Sequence, residues 1–275
     1  MGTKFKKMLI YGVLILISLL CLGPFLVMMV NATRESKEIM SGFTFIPGNS
    51  LSENWVLMSG FFNIFRGLGN SLFVAVFCTF LTGYFSALTA YGFAIYDFKG
   101  KNFIFTIILI LMMVPTQLGL LGFYDLVNNL DLMDSYLPLI IPSIASPFIV
   151  FFLRQYLVSV LPMSIVEAAR MDGANEINTF HKIGLPIMMP GIATMSIGVF
   201  IGSWNNYLIP LVLLITPDKF TLPVMVGSLS GSKDIANNLG ATYLTVAISV
   251  LPVMIAFAFF SKYIINSISA GGVKE

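Results

Sequence analysis

Long apolar runs, broken by short polar segments, set the pattern of this chain. A helix that crosses a bilayer needs about 20 mostly apolar residues. Six runs reach that length: 8–30, 70–96, 102–122, 137–157, 187–209 and 243–262. Backbone amides find no water in hydrocarbon, so each run is predicted to be helical. The expected fold is therefore an all-α polytopic membrane helical bundle of six transmembrane helices. Prolines such as Pro115, Pro142, Pro147 and Pro190 fall in these runs and predict either kinks that shape a pathway or plain curvature.

Composition agrees with the pattern. Hydrophobic residues make up 57% of the 275 positions and charged residues only 10%, against about 25% charged in soluble domains. Mean hydropathy is +0.90. A net charge of +2 is too small to imply nucleic acid as a partner, and membrane lipid is the expected surround. Lys4, Lys6 and Lys7 before the first run imitate a signal peptide, but the run exceeds the ~7–15 apolar residues of a signal core. It is expected to remain as a span. Cys21 and Cys78 both fall in apolar runs and are expected to be buried, free thiols.

Lys and Arg in the loops predict orientation. With the N-terminus inside, the inner segments hold Lys4, Lys6, Lys7, Lys99, Lys101, Arg154, Arg170, Lys182, Lys262 and Lys274. The outer segments hold only Arg34, Lys37, Arg66, Lys219 and Lys233. Both termini and the segment 162–190 are thus expected in the cytoplasm. The segment 31–69 is the longest outer loop. The outer segment 210–242, rich in Gly and Ser at 227–232, reads as exposed and mobile, and Asp125, Asp131 and Asp134 read as a solvated outer loop. The expected domains are 1–66, an N-terminal span plus outer loop; 67–265, the main transmembrane domain; and 266–275, a cytoplasmic tail.

The polar stretch Pro162 to Pro190 stands out between two apolar runs. Ser164 and Glu167 form an S-x-x-E capping box, which predicts a helix from about Ile165. Gly173 suits a left-handed residue ending it. Asn175 is placed to cap a second helix reaching about Lys182. Capping alone leaves open a hairpin that serves no partner.

The spacing is more specific than the caps. Glu167-Ala168-Ala169, Gly173, then Ile183 and Leu185-Pro186 resemble the EAA loop of permease subunits of binding-protein-dependent ABC importers. Asn70-Ser71-Leu72, Leu88 to Ala94 and Trp204-Asn205-Asn206-Tyr207 look like the carbohydrate branch, of maltose-transporter type. The resemblance covers most of the chain and implies a type I ABC importer transmembrane domain in a bacterial plasma (inner) membrane. It implies a second homologous permease subunit, two ATPase subunits that bind ATP and Mg, and an extracellular sugar-binding protein. Glu167, Ala168, Ala169, Asp172, Gly173, Ile183, Leu185 and Pro186 would couple to the ATPases. The segment 216–240 would reach the binding protein, and Gly271 to Glu275 would touch the ATPases. No cofactor is expected in this chain, and Gly100-Lys101 does not complete a phosphate-binding loop.

Residues for a sugar path are fewer. Trp204, Asn205, Asn206 and Tyr207 near the outer end of the fifth run could stack on rings and bond hydroxyls, or could be interfacial anchors. Gln117 could bond another helix or a sugar. His181, the single histidine, has no second ligand nearby for a metal. A gradient-driven carrier would be expected to place ionisable residues inside the spans, and the apolar runs contain none at their centres. A membrane enzyme would need a catalytic group, and no H-E-x-x-H occurs.

Overall fold

The computed structural model describes residues 3–231 and 238–272, and these form helices with no strand among them. Among the described residues, five helical stretches are long and apolar enough to cross a membrane: Lys4–Asn31, Ile64–Ile95, Leu137–Val160, Glu176–Trp204 and Leu239–Phe259. The expected third span, 102–122, is not one helix. It divides into α5 (Lys101–Leu111; α1 to α4 are given below), a 3₁₀ turn at Thr116–Gly119 and α6 (Leu120–Asn129). The cause is Pro115, which has no amide proton and drives Val114 out of the helical region.

The described residues fall into two compact units: those of 1–68 with 222–252, and those of 69–221 with 253–275. The first unit holds α1 (Thr3–Asn31), α2 (Ser36–Met40) and α3 (Leu51–Phe61). It also holds α13 (Leu222–Gly231) and the start of α14 (Leu239–Gly272). Most of helix α1 is exposed, Cys21 with it, against expectation, while Cys78 is buried. The segment after α1 is ordered by Arg34 and Asn54, both buried. The Arg34 guanidinium donates to Asn31 Oδ1 at 3.1 Å and to the carbonyl of Glu38 at 2.6 Å. Asn54 donates to the carbonyls of Ala32 and Arg34. The segment expected to be a mobile outer loop instead contains α13, where Leu222, Val224 and Met225 are buried. Its apolar half decides the structure, and Pro223 suits the helix's first turn. Residues 232–237 of that segment and 273–275 of the tail lie outside the described residues.

The second unit carries most of α4 (Ile64–Ile95), then α5, α6, α7 (Leu137–Ile140) and α8 (Pro147–Val160). It continues with α9 (Met163–Met171), α10 (Glu176–Thr179), α11 (Leu185–Trp204) and α12 (Leu208–Leu213). The fourth span is a composite, broken by a 3₁₀ turn at Ile141–Ile144 before Pro147. Irregular backbone at membrane depth must find partners in protein. Helix α4 supplies them: Thr82 Oγ1 donates to the Ser143 carbonyl at 2.7 Å, and the Cys78 thiol to that of Leu139. Small residues let α11 come close to its neighbours. A methyl group on Gly83 would lie 3.2 Å from Ile192, and one on Gly191 would lie 3.0 Å from the Tyr156 ring.

The loop between α6 and α7 is held by a residue the sequence left as solvated. Asp134 sits at φ 58°. Its carboxylate accepts from the amides of Ile215 and Thr216, the Thr216 hydroxyl and the Lys219 ammonium. These bonds, the Thr216 amide first and then Lys219, hold the acid far below the usual carboxylate range. Folding therefore gains from this clasp at all pH values above the ordinary Asp range, and loses it only in strong acid.

Candidate functional site

Pro162, with φ −66° and ψ 131°, occupies the N-cap of α9. Ser164 is then already inside the helix, and the expected capping box does not form. Proline's fixed φ is preorganised for a helix start, and the helix begins at Met163, two positions before the expected Ile165 capped at Ser164. One face of α9 turns inward, with Val166 and Ala169 buried. The opposite face, Ser164, Glu167, Ala168 and Met171, is exposed at the helical spacing of three and four.

The turn after α9 follows the expectation. Gly173 has φ +81°. Its amide donates to the Arg170 carbonyl, and the Ala174 amide donates to that of Ala169. These two bonds make a Schellman motif, which needs a left-handed residue where Gly173 stands. Asn175 then caps α10, its side-chain oxygen accepting from the Asn178 amide at 2.8 Å. Here the chain departs from helix, turn, helix followed by a fresh span. Helix α10 runs through a π turn, Phe180–Gly184, straight into α11. Pro186 is the second residue of α11, directly after the π turn.

A polar clamp closes the hairpin. The Arg170 Nε lies 2.8 Å from Glu176 Oε1, and the Tyr96 hydroxyl donates to Glu176 Oε2 at 2.5 Å. The Arg170 guanidinium also sits over the Tyr96 ring at 5.7 Å. Burial, and then the bond to Glu176, push the Tyr96 hydroxyl up to about 12. A raised tyrosine favours folding fully below its unfolded value near 10, and that gain is lost as pH climbs through about 12. The clamp is thus expected to hold unchanged across neutral pH. Spectroscopic titration against a Tyr96→Phe variant should show one tyrosine ionising late.

The hairpin is seated by Phe180, an aromatic that the sequence did not single out. Phe180 is 2% exposed and packs with Tyr91, Val166, Leu153, Leu157 and Met188. Its ring meets Tyr91 edge-on at 5.3 Å. Gly184 is buried beside Tyr91, and a methyl group there would lie 2.7 Å from that ring. Gly184→Val is expected to lower stability by about 1–3 kcal/mol through overpacking. Thermal unfolding of the purified chain in detergent measures it.

The expected site residues divide by exposure. Glu167, Ala168, Asp172, Gly173 and Pro186 are exposed. Ala169 is buried, and Ile183 and Leu185 are half-buried against the core. At the tip, two large apolar side chains have no cover: Met171 is 88% exposed and Ile177 is 70% exposed. Neither belonged to the sequence pattern. Trp204, by contrast, is 2% exposed and stacks on Phe200 at 6.0 Å. Asn205 and Tyr207 are exposed and Asn206 half-buried in the break between α11 and α12. Gln117 is exposed in the 3₁₀ turn after Pro115. No group of three His, Cys, Asp or Glu able to hold a metal occurs among the described residues.

Comparison with known proteins bears on this arrangement. Residues 79–269 match the family described as binding-protein-dependent transport system inner membrane component. The arabinooligosaccharides transport system permease protein AraQ of Bacillus subtilis is 38% identical, over 94% of this chain and 92% of its own. The diacetylchitobiose uptake system permease protein NgcG of Streptomyces coelicolor is 29% identical, over 95% of this chain and 87% of its own. A solved bacterial ABC transporter involved in import of the acidic polysaccharide alginate superposes with a TM-score of 0.82. It covers 96% of this chain and 98% of the solved one at 22% identity, and shares the fold. This chain belongs to the family of inner membrane components of binding-protein-dependent transport systems.

Proposed function

We propose that this chain is a permease subunit of an ATP-driven uptake system for sugars, with an oligosaccharide as cargo, and that its hairpin docks on an ATPase. It is a transport component, not an enzyme. The relatives named above are permeases for arabinooligosaccharides and diacetylchitobiose, which supports the cargo class. In this reading the chain forms half of the pathway with a second homologous permease. Two ATPase subunits bind ATP and Mg on the cytoplasmic side, where both termini also lie. An extracellular sugar-binding protein delivers the cargo.

The observation that carries the docking reading is the tip. Met171 and Ile177 leave large apolar side chains in water on a hairpin that is otherwise capped, clamped and rooted in the core. Such surface is costly to expose, and exposed apolar patches rimmed by polar groups mark interaction sites. Glu167 and Asp172 supply polar groups on the exposed side, with Ala168 and Gly173 exposed beside them and Pro186 at the base. Ala169, Ile183 and Leu185 would act from beneath, seating the hairpin rather than touching the partner. Asn205, Asn206 and Tyr207, with Gln117, remain the candidate sugar contacts, while Trp204 would stiffen the wall behind them.

The test is uptake by proteoliposomes holding the assembled transporter. Import should require both internal ATP and external binding protein. Uptake by the chain without either would overturn the proposal.

A further inference from the structure

His181 stands in the π turn where the hairpin becomes the fifth span. A π turn holds one residue more than an α turn, and such turns recur at functional sites. The imidazole is bonded at both nitrogens. Nδ1 lies 2.8 Å from the Ile177 carbonyl oxygen, which can only accept, so Nδ1 carries the proton. In the neutral ring Nε2 is then an acceptor, and the Tyr84 hydroxyl, 3.1 Å away, donates to it. A string of hydrogen bonds thus runs from the backbone of α10, through His181, to a side chain well inside α4.

Tyr84 leads from there into the space between α4 and α11. Its ring lies parallel to Phe80, 8° apart with centroids 6.3 Å apart, and edge-on to Phe180 at 6.2 Å. With Phe80, Leu185, Met189 and Phe200 it lines an apolar groove of about 460 Å³. The string begins at Ile177, whose side chain is one of the two apolar groups exposed at the tip. One end therefore lies where a partner would press, and the other lies in the wall of a groove between two spans.

We infer that His181 is a positioning residue that ties Tyr84 to the hairpin, so that displacing the hairpin moves the Tyr84 ring and reshapes the groove. The inference rests on the docking reading above. His181 acts through Tyr84 and touches neither cargo nor nucleotide. The bond gives the hairpin a directional hold on α4, which the surrounding packing of Phe180 alone does not supply.

The experiment uses the complete transporter in liposomes, with its second permease, ATPase subunits and binding protein. Two quantities are read: ATP hydrolysed per sugar imported, and ATPase retained on purification. Tyr84→Phe keeps the ring and loses the donor, and His181→Ala loses the acceptor. Each is expected to raise ATP consumed per sugar by about two- to tenfold, the factor set by one ordinary hydrogen bond. The ATPase subunits should stay bound. The double variant should be no worse than either single one, because both remove the same bond. His181→Gln, whose amide oxygen can still accept from Tyr84, should return most of the coupling. An unchanged ratio in both single variants, or effects that add in the double variant, overturns the inference. Loss of the ATPase subunits from Tyr84→Phe overturns it too, since Tyr84 would then serve docking rather than transmission. Import by the unaltered complex without ATP hydrolysis would remove the docking reading itself, and the link with it.

Discussion

Tryptophan in place of Gly173 is expected to cut sugar uptake by about tenfold or more while leaving the chain inserted. Two effects combine. At φ +81° a residue with a side chain is strained, by about 1–2 kcal/mol for the left-handed region. Relief of that strain would loosen the Schellman bonds from Gly173 to Arg170 and from Ala174 to Ala169. The second effect is bulk. Nothing lies within 4 Å of a methyl group built on Gly173, so within this chain there is room for the indole. It would stand on the face offered to the partner. Gly173→Asn separates the two effects, because asparagine tolerates the left-handed region and is small. Asparagine should keep most uptake and tryptophan should not. Equal uptake by Gly173→Trp and the unaltered transporter would contradict a docking role for this face. Insertion is checked by the amount of chain recovered from membranes.

Phe180→Ala is expected to have the largest effect on stability, about 3–5 kcal/mol. The ring is 2% exposed and lies at the root of the hairpin, where α4, α8, α9 and α11 all contribute to one cluster. Removing it leaves a cavity that helices fixed on every side cannot close. The hairpin would lose its seat on Tyr91, while the caps at Gly173 and Asn175 would remain. A fall in the unfolding midpoint together with a loss of bound ATPase is the expected pair of results. Phe180→Leu, which fills more of the site, should lose less of both. Thermal unfolding and co-purification measure the two.

The hairpin could be read from the sequence because its turn chemistry is local. Gly173 and Asn175 act within three or four residues of themselves, so their roles need no knowledge of the fold. The Ser164 cap failed on a competing local rule, as Pro162 starts the helix first. The third run departs from one continuous helix for a related reason. Hydropathy over 102–122 says nothing about hydrogen bonding, and Pro115 breaks the helix inside an apolar run. What joins the hairpin to the bundle was out of reach. Tyr96 meets Glu176 across 80 positions and Tyr84 meets His181 across 97, and no periodicity links residues so far apart. Asp134 was read as solvated because its partners, Ile215, Thr216 and Lys219, lie more than 80 positions further on.

Crosslinking from the tip of the hairpin tests the central claim most directly. A Met171→Cys variant, with Cys21 and Cys78 replaced, would carry a single thiol at a position that is 88% exposed on the hairpin tip. In the assembled transporter a short thiol crosslinker is expected to join it to an ATPase subunit, and an impermeant reagent outside sealed cells should not reach it. A thiol labelled from outside the cell, or one that crosslinks to no ATPase while the transporter is importing sugar, would contradict the account.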